Sequence, residues 1–263
     1  MFEIVSFILH LSIWLFVAFV YFAFFLRMIP NSTAQTALYA VSGVISFVQL
    51  SAMTVTVSID AQDPKVTSAG KQRNVAYKKE TGVPVIDSDT RFCNICQVVV
   101  GPLTKHCKPC NKCVDAYDHH CVYLSTCIGR RNYSPFLLTL ILGELLLDII
   151  LAISLYVFSM YFWNKQGFVD GVNSIFIEPA SSVALVTLTG IFIVLVIAMI
   201  VPVTNLLVFH LRICYIGMTT AEYLERRRNR EPPLWMIDSS LFKKDPLAYP
   251  EVDRGHGCWS CLS

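Results

Sequence analysis

Charge is what this sequence has least of. Only 15% of its 263 residues are Asp, Glu, Lys or Arg, against roughly 25% in an ordinary soluble domain. That shortage excludes a disordered tail protein, which charge keeps open, as well as a coiled coil and most soluble enzymes. The few charges nearly cancel, at +2 overall, so no basic excess points to nucleic acid. Apolar residues make up 54%. The chain reads as an integral membrane protein with one metal-binding insert, since seven of its ten cysteines fall between Cys93 and Cys127.

The lack of charge is local. None occurs from Ile4 to Leu26, from Met28 to Ile59 or from Pro179 to Leu211, and Asn132 to Asn164 holds only Glu144 and Asp148. A helix needs about 20 apolar residues to cross a bilayer. The stretches predict four transmembrane helices, at about 4–28, 36–58, 135–163 and 182–211. The first is not expected to be a cleaved leader, because it lacks a basic n-region and exceeds the roughly 7–15 apolar residues of an h-region. Pro30-Asn31-Ser32 supplies the turn of a first hairpin. The fold class expected is an all-α polytopic membrane protein, with a small cytosolic two-zinc domain between helices 2 and 3.

Orientation follows from basic residues. Eleven of the 21 Lys and Arg lie between Asp60 and Arg131, and eight lie from Arg212 onward. Near the other two connections stand only Arg27 and Lys165. Lys and Arg collect on the cytosolic side, so the long loop, the tail and both termini are expected there. The layout is a transmembrane hairpin over 1–59, a cytosolic loop over 60–134 with its zinc domain at about 91–134, a second hairpin over 135–211 and a tail over 212–263. The sequon Asn31-Ser32-Thr33 falls on the opposite side, too close to the membrane to be used.

Cytosolic thiols stay reduced, so dense Cys and His mean metal. Cys93, Cys96, His106 and Cys113 are separated by 3, 10 and 7 positions. Cys107, Cys110, His120 and Cys127 repeat those separations, shifted by 14. Each set is Cys₃His, which suits a closed tetrahedral zinc site. Two such sites supply on the order of 10 kcal/mol each towards folding, which the insert needs because it has no obvious apolar core.

Cys121 begins a third register, but the positions that would complete it are Leu124, Ser134 and Ile141, none a useful zinc ligand. Asp118, His119 and Cys121 therefore stand outside both sets. They either pad the knuckle or form a nucleophile with a base and an orienting carboxylate. Nearby His and positive charge lower a thiol's pKa, and the predicted helix from about Tyr133 puts Cys121 close to the membrane surface.

The run Cys93-x₂-Cys96-x₉-His106-Cys107-x₂-Cys110-x₂-Cys113-x₄-Asp118-His119-His120-Cys121-x₅-Cys127-x₄-Asn132-x₃-Phe136 resembles the cysteine-rich domain of the DHHC protein S-acyltransferases, or palmitoyltransferases. The match covers about 45 residues without gaps, and Thr219-Thr220-Ala221-Glu222 resembles the family's Thr-Thr-x-Glu. The resemblance implies a ping-pong transfer: Cys121 takes a long-chain acyl group from acyl-CoA and passes it to a substrate cysteine. It further implies His119 as general base, Asp118 as its partner, His120 as a zinc ligand, and Thr219-Thr220 packed against the site. The implied partners are acyl-CoA, cysteine-bearing proteins at the cytosolic face and the bilayer, in an endomembrane or the plasma membrane. The sequence departs from the family at Val122-Tyr123 in place of Pro-Trp, at Ser125-Thr126 in place of an Asn pair, and at Asp63-Pro64-Lys65 in place of Asp-Pro-Gly. No version of the family's C-terminal Asn-and-aromatic motif is apparent.

Other residues are read more plainly. Glu144 and Asp148 share a helix face; intramembrane acids often carry function, but bonding to a neighbouring helix is the simpler reading. His10 and His210 are packed or interfacial. Pro202 predicts a kink, and Gly190 a close helix contact. Arg226, Arg227, Arg228 and Arg230 flank the last span, as a lipid-facing cluster or, with Thr219 and Thr220, as part of the acyl-CoA site. Cys214, Cys258 and Cys261 are open to acylation, and the end of the chain is not a prenylation box. The rival classes are a zinc-stabilised membrane adaptor, which needs no Asp-His-Cys trio, and a transporter, which two buried acids and no inverted repeat argue against.

Overall fold

The computed structural model describes residues 2–69, 81–176 and 181–229. Arg230, Cys258 and Cys261 lie outside the described residues. The chain forms two compact units, one of Met1–Met53 with Leu138–Leu207 and one of Thr54–Leu137 with the described residues from Val208.

Four helices are long and apolar enough to cross a membrane: Val5–Met28, Ser32–Ser58, Tyr133–Trp163 and Ser182–Ile216. The protein is therefore a multi-pass membrane protein, mostly helical, with a Cys/His-rich insert between its second and third spans. Helix α1 (Phe2–Val20) runs on through a π turn at Tyr21–Phe25 and a 3₁₀ turn at Leu26–Met28. Helix α2 (Ser32–Ser58) starts four residues before the expected 36. The cause is Asn31, whose side-chain oxygen accepts the Ala34 N–H at 2.9 Å and so caps the helix.

The first unit packs Val17, Tyr21, Phe25, Leu147, Ile150 and Phe192 into one apolar cluster. Lipid tails are as apolar as these side chains, so close packing and hydrogen bonds, rather than escape from water, select the arrangement. Tyr21 meets the Ser42 hydroxyl at 2.9 Å, and Tyr39 donates to the Phe22 carbonyl at 2.8 Å. Gly143 admits Gln49 and Trp14: an added Cβ would stand 3.1 Å from the Gln49 amide nitrogen and 3.5 Å from the Trp14 ring. Glu144 of α4 (Tyr133–Trp163) bonds the Thr204 hydroxyl of α6 (Ser182–Ile216), whereas Asp148 is exposed. The connection after α4, read from sequence as a loop, contains α5 (Lys165–Ile175). Asn164 caps it, and it buries Phe168 and Val172, whose four-residue spacing is the signal for it.

The second unit is organised by a structural repeat. Three antiparallel hairpins follow one another: β1 (Phe92–Cys93) with β2 (Val98–Val99), β3 (Lys105–Cys107) with β4 (Lys112–Val114), and β5 (His119–Cys121) with β6 (Thr126–Ile128). The turns place Gln97, Asn111 and Ser125 at φ of 56°, 47° and 52°, three equivalent positions 14 apart. Asn tolerates this left-handed region best among residues with a side chain, which gives a physical reason for a family preference for Asn at the Ser125 position. The expectation that the insert lacks a core of its own is refined: two small clusters form around the cysteines, Val66, Ile95 and Val100 with Cys93 and Cys113, and Ala61 and Val114 with Cys107 and Cys127.

Asp63 ties the chain after α2 to this repeat. Its carboxylate caps α3 (Pro64–Ser68) through the Lys65 N–H at 2.8 Å, and accepts the Gly101 N–H at 3.0 Å and the Thr104 hydroxyl at 2.5 Å. At Lys65 only the backbone N–H enters this capping contact, so Lys in place of Gly leaves it intact. At the other end Gly217, at φ 78°, closes α6. Met218 N–H reaches the Ile213 carbonyl and Gly217 N–H that of Cys214, the paired bonds of a Schellman motif. The chain then turns at once into α7 (Thr220–Arg228).

Candidate functional site

Each hairpin presents its first-strand cysteine at the same point. In the first two, that cysteine joins three further donors. The ligand atoms of Cys93, Cys96, His106 and Cys113 all lie within 4.8 Å of one another, and so do those of Cys107, Cys110, His120 and Cys127. In each set the histidine turns Nδ1 inward. His106 Nδ1 stands 3.7, 3.4 and 3.6 Å from the three sulfurs, and His120 Nδ1 3.7, 3.3 and 3.7 Å from its own. Zinc bond lengths of about 2.3 Å to sulfur and 2.05 Å to nitrogen make the sulfur–nitrogen edge of a tetrahedron about 3.5 Å. The two sets fit a zinc ion in donor type, number and spacing.

Electrostatics agree. Hydrogen bonds from Cys110 and Cys127 hold the Cys107 thiol down at about 3, while hydrogen bonds with Cys107 and Cys110 push Cys127 up. Burial works against a charged His106, yet the thiols of Cys93 and Cys96 carry it up to about 9. In the second set the charge on Cys107 resists a second charge on Cys127, a repulsion that a bound cation would relieve.

The third hairpin differs by composition. Leu124 replaces the second cysteine, and Cys121 is a buried thiol outside both sets. His120 faces the second set, so its neighbours His119 and Cys121 project to the other side of strand β5. His119 Nδ1 lies 2.6 Å from Asp118 Oδ2, and the Cys121 thiol acts electrostatically on the same ring. Burial disfavours the His119 cation, but the Asp118 hydrogen bond and the charges of Asp118 and Cys121 outweigh it and set the group at about 9. Burial raises Asp118, but the hydrogen bond and charge of His119, with the Thr220 N–H, bring its carboxyl below the ordinary value.

Asp118 is only 2% exposed, so its orientation is fixed by its partners. Thr220 donates its backbone N–H to Oδ1 at 2.7 Å and its hydroxyl to Oδ2 at 2.9 Å. Thr219 is the N-cap of α7, in a reciprocal capping box with Glu222. The two threonines thus split their work: one starts the helix and the other holds Asp118. Thr-x-x-Glu is the sequence signature of a capping box, so this role was readable from residues alone.

Asn132, fully buried, accepts the Gly129 N–H at 2.9 Å and donates to the carbonyls of Cys127 and Thr56 at 2.9 and 3.1 Å. Gly129 has no room for a side chain, since an added Cβ would lie 2.6 Å from the Asp115 carbonyl oxygen. Asn132 stands in the run that carries the family resemblance, whereas Gly129 was not singled out in the sequence. His210, read there as a packed histidine, stands beside His119 with ring centroids 5.6 Å apart. Asp118, His119 and His210 bring donor atoms within 4.8 Å of one another, but Thr220 and His119 already occupy both Asp118 oxygens.

The residues expected at acyl-CoA separate. Thr219 lines a cleft of about 460 Å³ together with Arg91, Lys105, Tyr117, Glu222 and Glu225, whereas neither Arg226 nor Arg227 does. Arg227 is exposed and Arg226 half-buried. Val122 and Tyr123, which stand where the family has Pro-Trp, are 41% and 56% exposed.

A membrane protein with two Cys₃His sets and an Asp-His-Cys constellation on the third of three matched hairpins is a narrow class. The family model described as DHHC palmitoyltransferase matches residues 86–227, and this chain belongs to that family. It is also similar to the probable palmitoyltransferase ZDHHC11B of Homo sapiens, at 28% identity over 250 residues. That alignment covers 89% of this chain and 65% of the human protein, so the chain spans just under two thirds of that relative.

Proposed function

We propose that the protein is a protein-cysteine S-acyltransferase, moving a long-chain acyl group such as palmitoyl from acyl-CoA to a cysteine through a thioester on Cys121. The observation that carries this reading is the 2.6 Å Asp118–His119 bond on a strand whose next residue, His120, belongs to a metal set and whose Cys121 does not. His119 accepts the Cys121 proton, and the thiolate adds to the thioester carbonyl. The carbon–sulfur bond to CoA then breaks, and CoA leaves as the thiol with the proton from His119. In the second half, His119 deprotonates the incoming protein thiol, which takes the acyl group and releases Cys121 to recover its proton. Asp118 keeps the His119 proton on Nδ1, so that Nε2 is the atom that works.

Cys93, Cys96, His106 and Cys113 would hold one zinc, and Cys107, Cys110, His120 and Cys127 the other. The ions would supply folding free energy to hairpins too short to stand alone. Arg226 and Arg227 are proposed to face anionic groups, of lipid or of CoA. The basic residues of 60–134 and of the tail support a cytosolic placement of both, with both termini on that side. The layout of two hairpins around a cytosolic domain follows, in an endomembrane or the plasma membrane.

The test is autoacylation. Purified protein in detergent is mixed with labelled palmitoyl-CoA beside Cys121→Ser, and zinc is counted in both. A hydroxylamine-sensitive label absent from the mutant is the expected result. A folded wild type carrying two zinc ions and no label would overturn the reading in favour of a membrane adaptor.

A further inference from the structure

We propose that His210 is a positioning residue for the reaction: it forms the wall that fixes the His119 ring, and it is itself fixed by Tyr133. The inference rests on His119 as the base of the proposed acyl transfer. One hydrogen bond to Asp118 sets where the imidazole is anchored, but it leaves the ring free to swing about that anchor. Two rings close this freedom. Phe136 meets His119 edge-on at 5.3 Å and 65°, and His210 lies against it at 5.6 Å and 40°.

His210 is suited to being a wall because it cannot move. It is 1% exposed. Phe136 packs on it at 5.0 Å and Phe209 at 5.4 Å, both near perpendicular. Its Nδ1 lies 3.0 Å from the Tyr133 hydroxyl, which in turn meets the Cys214 sulfur at 3.1 Å. With the Cys214 thiol donating to Tyr133, Tyr133 donates to His210 Nδ1, and His210 keeps its proton on Nε2. A purely apolar ring in its place would leave the Tyr133 hydroxyl with one partner fewer in a half-buried setting. The residue pairs concerned, 119 with 210 and 133 with 210, lie 91 and 77 positions apart, which is why no local pattern announces them.

The experiment compares wild type with His210→Ala, Tyr133→Phe, His119→Ala and the double variants of each pair, all carrying two zinc ions by metal analysis. Two rates are followed: formation of the Cys121 thioester from labelled palmitoyl-CoA, and alkylation of Cys121 by iodoacetamide, resolved by peptide mass spectrometry. Positioning predicts that His210→Ala lowers the maximal rate of thioester formation at least tenfold, with the KM for palmitoyl-CoA within about twofold. Tyr133→Phe is expected to act in the same direction, and the double variant to be no slower than the worse single one. In the His119→Ala background, removing His210 is expected to leave the alkylation rate unchanged, because the wall then has nothing to hold. A further fall there, an unchanged rate in His210→Ala, or a raised KM alone would overturn the proposal. A wild type that forms no thioester would instead overturn the proposed function on which it rests.

Discussion

Thr220 grips Asp118 twice, with its backbone N–H on one carboxylate oxygen and its hydroxyl on the other. The contact joins residues 102 positions apart and makes the start of α7 part of the candidate site. Hydrogen bonds to a charged group contribute about 1.5–3 kcal/mol, and about 1.4 kcal/mol is a tenfold change in rate. Thr220→Val keeps the shape and the N–H but removes the hydroxyl. Thioester formation on Cys121 is expected to fall roughly 10- to 100-fold, while Thr220→Ser stays near wild type. Equal rates for Val and Ser would mean that the hydroxyl does not orient Asp118.

The two Cys₃His sets and the lone Cys121 predict a clean division among cysteine variants. Cys107→Ser breaks a set whose members lie within 4.8 Å of one another, and is expected to lose one zinc and lower the thermal midpoint. Cys121→Ser is expected to keep both ions and the midpoint and to lose the acyl label. Metal analysis and thermal denaturation in detergent read the two outcomes. Zinc released by Cys121→Ser would place that sulfur in a ligand set after all.

His119 sits at about 9, raised by its Asp118 and Cys121 neighbours against the pull of burial. A base must be neutral to take a proton. Thioester formation is therefore expected to climb with pH from 7 and level off near 9, with the climb absent in His119→Ala. Stability runs the other way. A raised folded-state value means that the contribution of this group is full below its unfolded value of about 6.5 and is lost as pH passes 9. Rates that fall between pH 7 and 9 would show that the imidazolium is the working form.

The spans and the two ligand sets were legible because both are local patterns. A run without charge needs no knowledge of its partner, and a metal set repeated at an offset of 14 is visible in the spacing itself. The left-handed turns at Gln97, Asn111 and Ser125 carry the same offset in the backbone. What could not be read is what folding brings together from afar. His210 looked like any histidine in an apolar helix until Tyr133 and His119 were placed beside it. Asp63 looked like a motif remnant, but it caps α3 and also holds Gly101 and Thr104. The connection holding α5 was passed over because an 11-residue amphipathic helix is weak beside the spans that flank it.

Glu144 is the remaining intramembrane acid with a partner, and its contacts predict how little its charge matters to acyl transfer. The Thr204 hydroxyl meets both the Glu144 carboxyl and, at 2.9 Å, the Ile200 carbonyl of its own helix. One hydroxyl proton cannot serve both oxygens. An amide at position 144 resolves the conflict, because its NH₂ can donate to Thr204 while the hydroxyl proton stays on Ile200. The second Glu144 oxygen is buried with no hydrogen-bond partner among the described residues. Glu144→Gln is thus expected to keep zinc, thermal midpoint and the rate of thioester formation within about twofold, whereas Glu144→Lys, which forces a cation into the same space, is expected to lower the midpoint sharply. A Glu144→Gln protein that folds, holds two zinc ions and forms no thioester would make this carboxyl a participant in the chemistry rather than a link between two helices.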